Sequence, residues 1–251
     1  MDAFSLRFGT EIGDGPHFRE HLVRVNPYVN AFGDELSPRA DNVLLTLDNG
    51  VSVVLPAIPE FLATISVEDG EVTDVSYEPS SNSSRWPKYR DRMDELRLLR
   101  SVVASAAYLG VFKLSSEDAP ALARRMQVAK GVDPTMSLYA AYAYRDLGVR
   151  SRIREMHEVL QADLGFSLFD VAMLAGEPIG GIGLLPSRGT SPRMVPFVPL
   201  LSPGWSLLDA YNVQLPALEG LIPHLRQSLW TSFDPAGASI IRAAMESELW
   251  T

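Results

Sequence analysis

Hydrophobic and polar positions alternate with period two from Phe4 to about Pro79, and turn dipeptides break the alternation. Apolar residues at every second position put one face of a strand on a core and the other in water, so this stretch predicts antiparallel strands. Val43-Leu44-Leu45-Thr46-Leu47 and Val51-Ser52-Val53-Val54-Leu55 flank Asp48-Asn49-Gly50, where Asn-Gly predicts the positive φ angles of a type I′ hairpin turn. The pattern repeats with Leu62–Glu68 and Glu71–Tyr77 around Asp69-Gly70, placing Thr73, Val75 and Tyr77 on one face and Val72, Asp74 and Ser76 on the other. Phe4–Phe8 and His17–Val25 read as further strands, and Pro27, Pro38, Pro56 and Pro59 mark loops or edges. Five or six such strands would make a small sandwich or half-barrel.

After the polar joint Ser80-Ser81-Asn82-Ser83-Ser84 the period lengthens to that of a helix. Leu96, Leu99, Val103 and Ala106 share a stripe while Arg92, Glu95, Arg97 and Arg100 face elsewhere. Ser115-x-x-Asp118 resembles a capping box opening a second helix that carries Leu122, Met126 and Ala129 inward until Gly131. Asp133-Pro134 opens a third, because Asp caps and Pro fits the first turn, and Gly148 ends it. Val149–Leu164 is a fourth, with Ile153, Met156, Leu160 and Leu164 in register, and Phe166–Ala175 a fifth between Gly165 and Gly176. Short turns between such helices force sequence neighbours to run antiparallel. Ala140-x-x-x-Tyr144 matches the small-then-aromatic contact of a tetratricopeptide repeat, but Arg124, Gln127-Val128 and Gly131 stand where that repeat has Trp, Leu-Gly and Tyr.

Gly176–Gly204 holds six Gly and six Pro and reads as a loop with one short strand at Ile182–Leu185. Trp205–Tyr211, Leu215–Leu221, Pro223–Trp230 and Asp234–Leu249 read as short helices, and Trp205, Tyr211, Trp230, Phe233 and Trp250 as aromatics closing the helical core. The expected fold is α+β. It comprises an acidic antiparallel β-sandwich-like domain over 1–84 and an all-α array of helical hairpins over 85–251, tetratricopeptide-like and degenerate, with the Gly/Pro-rich loop at 176–204.

Composition sharpens this picture. The 251 residues include no cysteine, which excludes disulfides, thiolate metal sites and a cysteine nucleophile and favours a cytoplasmic address. The formal net charge of −9 is unevenly placed: residues 1–85 carry 14 Asp and Glu against 5 Arg, whereas residues 86–251 carry 17 of each sign. Such a surface repels a polyanion, so nucleic acid is not expected; the charge serves solubility or suits the basic face of a protein partner, and a protein partner is expected. The first residues lack the basic start and apolar run of a secretory signal, and the apolar stretch Val102–Leu114 is too short to span a bilayer, so no membrane association is expected.

Candidate chemistry is sparse. His17-Phe18-Arg19-Glu20-His21 has metal-ligand spacing for a helix, but on a strand its imidazoles would stand roughly 13 Å apart. His157 and His224 read as boundary histidines, and no Gly-x-Ser-x-Gly elbow accompanies them. Gly180-Gly181-Ile182-Gly183 lacks the preceding strand and following helix of a phosphate loop. Glu155 and Glu158 belong to a solvated helix face, as does the run Arg85, Lys88, Arg90, Arg92, Arg97 and Arg100, interleaved with acids beside Trp86 and Tyr89. No catalytic, cofactor-binding or metal-ligating residue is assigned, and no cofactor is expected.

Several segments together carry a family resemblance: Val25-Asn26-Pro27-Tyr28-Val29-Asn30, Arg39-Ala40-Asp41-Asn42-Val43-Leu44, Tyr139-Ala140-Ala141-Tyr142-Ala143-Tyr144, Leu201-Ser202-Pro203-Gly204-Trp205 and Leu229-Trp230-Thr231. They resemble the accessory C-terminal region that follows the protease domain in bacterial caspase-like (peptidase C14-type) proteins of defence or signalling systems. The catalytic Cys and His of that family lie in its protease domain, so a chain without cysteine inherits no catalytic residue. The resemblance implies a sensor, adaptor or regulator working beside a protease. The residues themselves favour a non-catalytic protein-interaction or regulatory module. The alternative is a cofactor-free hydrolase or small-ligand-binding protein with a site between the β and helical domains and the 176–204 loop as its lid.

Overall fold

The computed structural model describes residues 40–108, 119–129, 131–179, 193–213 and 215–246. The α+β architecture is as expected. Strands β1 (Asp41–Thr46) and β2 (Ser52–Ala57) pair antiparallel, as do β3 (Phe61–Glu68) and β4 (Glu71–Pro79), but the two hairpins form separate two-stranded sheets. The runs Phe4–Phe8 and His17–Val25 lie outside the described residues.

The type I′ turn belongs to the second hairpin. Asp69 and Gly70 both take positive φ, 51° and 76°, directly between the paired Glu68 and Glu71. In the first hairpin only Gly50 does so, at 82°, while Gly50 N–H donates to Leu47 C=O at 2.8 Å and Leu47 N–H to Val51 C=O at 2.8 Å. That is a three-residue loop built on a type I turn with glycine at the left-handed position. The Asn49 amide donates to Gly70 C=O at 2.8 Å, tying the two turns together.

The helices are α1 (Trp86–Arg90), α2 (Met93–Tyr108), α3 (Ala119–Ala129), α4 (Thr135–Asp146) and α5 (Arg150–Leu164). The stripes read from the sequence are buried: Leu96, Leu99 and Val103 on α2, Met126 and Ala129 on α3, Ile153, Met156 and Leu160 on α5. Helix α4 is different, because every residue from Thr135 to Tyr144 is buried. A helix enclosed on all sides shows no amphipathic stripe. It packs against α3, α5, the next helix and β4, and these contacts do not establish a tetratricopeptide-like register.

Phe166 starts a two-residue strand, β5 (Phe166–Ser167), ahead of the wholly buried helix α6 (Phe169–Ala175). Its partner β6 (Arg193–Met194) runs parallel to it. The predicted strand at Ile182–Leu185 lies outside the described residues, and the described ends of the Gly/Pro-rich loop are core: Ile179, Val195, Phe197, Val198, Leu200 and Leu201 are buried. The chain continues through α7 (Ser202–Trp205), a 3₁₀ turn (Asp209–Tyr211), α8 (Pro216–Glu219), a second 3₁₀ turn (Ile222–His224) and α9 (Pro235–Glu246). Residues 225–230 are not helical, since Leu225 and Trp230 form antiparallel bridges to Phe233 and Leu201. Phe233 also bridges to Ser52, exchanging backbone hydrogen bonds of 2.8 and 3.0 Å.

One hydrophobic cluster includes residues from both sides of residue 85, among them Leu44, Val53, Tyr77, Leu99, Leu138, Phe169 and Phe233. Trp230 meets Tyr139 edge-on at 6.3 Å and Trp205 meets Phe233 at 5.8 Å, so three of the five C-terminal aromatics close this core as expected. No helix among the described residues is long and apolar enough to cross a membrane.

Candidate functional site

His17, His21 and Gly180-Gly181-Ile182-Gly183 lie outside the described residues. His157 is not a boundary residue: it is buried beside Met156 on α5. Its Nε2 lies 3.1 Å from Ser167 Oγ, which accepts from the Gln161 amide at 2.8 Å. The hydroxyl, with one donor and two acceptor sites, satisfies the amide and the imidazole together. Burial pushes the His157 pKa down, keeping the ring neutral. A serine hydrogen-bonded to a neutral histidine pairs a nucleophile type with a base type, but both side chains are enclosed, so here the contact fastens β5 to α5. His224 is half-buried, with Nδ1 3.2 Å from Asp234, the residue whose Oδ1 accepts Gly237 N–H at 2.8 Å and caps α9.

The basic run disperses. Arg85 reaches Asp163 at 2.6 Å and Gly131 C=O at 3.2 Å; Arg92 pairs with Glu95 at 2.8 Å; Arg97 pairs loosely with Asp94 at 3.6 Å. Glu155 pairs with Arg152 at 2.9 Å, and Glu158 is exposed. Arg100 departs from the solvated-face reading, because both of its contacts to Asp133, at 2.8 and 3.0 Å, go to one oxygen of a fully buried carboxylate. The other Asp133 oxygen accepts Thr135 N–H at 3.0 Å and Thr135 O–H at 2.6 Å, and Tyr77 N–H stands 3.4 Å away. Arg100 also donates to Tyr77 C=O at 3.1 Å. Burial and the neighbouring Asp133 charge together raise the Asp74 pKa. The pair therefore closes the outer edge of β4 against α2 and the start of α4.

A second enclosed carboxylate, Asp170, sits in α6. It accepts Tyr142 O–H at 2.6 Å, Leu200 N–H at 2.6 Å and Leu201 N–H at 3.3 Å. Desolvation outweighs these donors and pushes its pKa up to about 6. Gly204 is required beside it: a Cβ there would lie 2.7 Å from Tyr142 Oη and 2.8 Å from Pro199 Cβ. The sequence carried a signal for Asp170, a lone acid inside Phe166-Ser167-Leu168-Phe169-Asp170-Val171-Ala172, but none for its partners. Among the described residues no group of three or more His, Asp or Glu could hold a metal ion.

In the β3–β4 hairpin β4 is mostly buried, whereas β3 and the turn after it are largely exposed. Residues 40–84 contain eight Asp and Glu and no Lys, Arg or His. Glu60, Glu68 and Asp69 are exposed at the two ends of β3, and Leu62, Ala63, Thr64 and Val67 are exposed along it. Cations from the helical part reach this hairpin on β4, where Arg226 pairs with Glu71 and Arg100 donates to Tyr77 C=O, and at the start of β3, where Arg85 lies 5.8 Å over the Phe61 ring; Glu60 accepts Ser83 O–H at 2.9 Å and Glu78 accepts Tyr89 O–H at 2.5 Å. No protein-family model matches the chain, and no curated protein or solved structure matches it either.

Proposed function

We propose that the chain is a non-catalytic protein-interaction or regulatory module that presents its acidic β3–β4 hairpin to a basic protein partner. The observation that carries this reading is the one-sided charge at the two ends of exposed β3: Glu60, Glu68 and Asp69 are exposed in a stretch of chain with no cation of its own. Uncompensated surface charge of one sign steers an oppositely charged partner and repels nucleic acid. The resemblance to the accessory region of bacterial caspase-like proteins supports a cytoplasmic role beside a protease, as partner or regulator. The alternative, a hydrolase or ligand-binding site under a 176–204 lid, draws less support, because the described ends of that loop are packed into the core.

The test is recovery of the full chain from its native host as wild type and as Glu68→Lys/Asp69→Asn, with identification of the proteins retained. A protein held by the wild type, released by salt and lost from the variant is the expected result. Equal retention by both forms overturns the reading.

A further inference from the structure

We infer that the free edge of β3 docks an extended, basic peptide segment, which adds to the β3–β4 hairpin as a third strand. This rests on the interaction reading above and specifies how the hairpin engages its partner.

Pairing parity locates the edge. Ser80 N–H donates to Glu60 C=O at 2.7 Å, so the opposed residues 60 and 80 form a hydrogen-bonded pair. Alternation along an antiparallel ladder then makes 61/79, 63/77 and 65/75 pairs whose N–H and C=O groups point away from each other. On β4 this is what is seen, since the outward Tyr77 N–H and C=O meet Asp133 and Arg100. On β3 the corresponding groups are those of Ala63 and Ile65. They have no hydrogen-bond partner among the described residues, and β3 pairs with β4 alone. Ala63 is exposed and Ile65 is half-buried, so the edge is reachable. The register shift at Ser66/Val67 ends the regular rail toward the turn.

Charge selects the occupant. Glu60 lies at one end of the rail and Glu68 with Asp69 at the other, roughly 26 Å apart at strand rise, with exposed Leu62, Thr64 and Val67 between them. A second copy pairing edge to edge would bring these carboxylates together, whereas a strand with basic ends and apolar or β-branched residues between them would neutralise them. Backbone bonds would supply affinity and the ends specificity.

The test is fluorescence anisotropy of the full chain with a labelled peptide of about eight residues, Lys or Arg at both ends and alternating Thr and Val between them. Two control peptides replace the terminal cations with Glu or carry N-methyl groups on alternate amides. Saturable binding of the parent peptide is expected, weakened about tenfold by N-methylation and about tenfold by Glu68→Lys/Asp69→Asn, with cross-strand NMR contacts to Ala63 and Ile65. Ala63→Pro, which removes one edge donor, should weaken binding similarly; because it can disturb folding, the N-methylated peptide makes the same test on an unaltered protein. Equal binding of parent and N-methylated peptides, no saturable binding, equal binding of the Glu-ended peptide, or a concentration-dependent dimer formed through β3 each overturn the inference. If peptide binding fails while partner retention still depends on Glu68 and Asp69, strand addition falls and the interaction reading stands. If retention ignores those charges, the interaction reading falls.

Discussion

Arg100 and Asp133 form a forked contact in which Nε and Nη2 converge on a single oxygen, at 3.0 and 2.8 Å, with the carboxylate fully buried and the guanidinium partly exposed. The asymmetry matters energetically. Removing the arginine leaves a desolvated negative charge, whereas removing the aspartate leaves a cation that can still reach water but strips Thr135 N–H and O–H of their buried acceptor.

Arg100→Leu and Asp133→Ala are therefore each expected to destabilise the protein by about 3–5 kcal/mol, the first by stranding a buried charge and the second by also orphaning the Thr135 donors, with the double variant well short of the sum. Urea unfolding of the four proteins, read at constant m-value, measures the coupling. Additive losses would show that the pair does not act as a unit.

Asp170 should make stability depend on pH in the sense opposite to a salt-bridged carboxylate. Its folded pKa, about 6, exceeds the ordinary 3.8, so the folded state binds the proton more tightly than the unfolded chain. Its favourable contribution is complete below about pH 4 and is lost as pH rises through about 6, a change of about 3 kcal/mol. Subtracting the unfolding free energies of Asp170→Asn from those of wild type across pH 3.5–7.5 isolates it. A flat difference would refute the assignment.

His157 has the reverse sign. Burial lowers its pKa, so the stability associated with the neutral ring is complete above about 6.5 and is lost as pH falls through the depressed value. An NMR titration should find His157 protonating below the ordinary histidine range. A normal titration midpoint would mean that the ring is solvated.

Gly70 and Gly165 share a φ of 76° but differ in surroundings. A Cβ at Gly70 would lie 2.3 Å from the Asn49 amide nitrogen, while nothing lies within 4 Å at Gly165. Gly165→Ala should cost about 1 kcal/mol for the left-handed backbone alone, and Gly70→Ala about 1 kcal/mol more because the Asn49–Gly70 tie must also open. Equal losses in thermal or urea unfolding would show that the link between the turns carries no stability.

Much of the fold was legible because local pattern and environment agree. Period two marked the hairpins, and the stripes Leu96/Leu99/Val103 and Ile153/Met156/Leu160 marked α2 and α5, each with one face on the core. Legibility failed where tertiary partners decide. Asn49-Gly50 carries the stronger type I′ signal, yet that turn forms at Asp69-Gly70. Residues 225–230 look helical in isolation, but Leu225 and Trp230 are held in bridges. Asp133 was readable as a cap and not as the partner of Arg100, because a contact across 33 residues leaves no local trace. The edge of β3, unpaired among the described residues, was likewise invisible, since alternation announces a strand without saying how many neighbours it has.

The bridge between Ser52 and Phe233 has a consequence for how the chain is made. Asn42 receives Phe197 N–H and Glu71 receives Arg226, each pair 155 residues apart in sequence, and Phe233 arrives later still. During synthesis the two hairpins leave the ribosome long before the segments that cover them, so their apolar faces wait in a crowded cell until the last third of the chain appears. In that interval residues 40–84 still lack the helical cations that later reach them, so their net negative charge holds half-made copies apart.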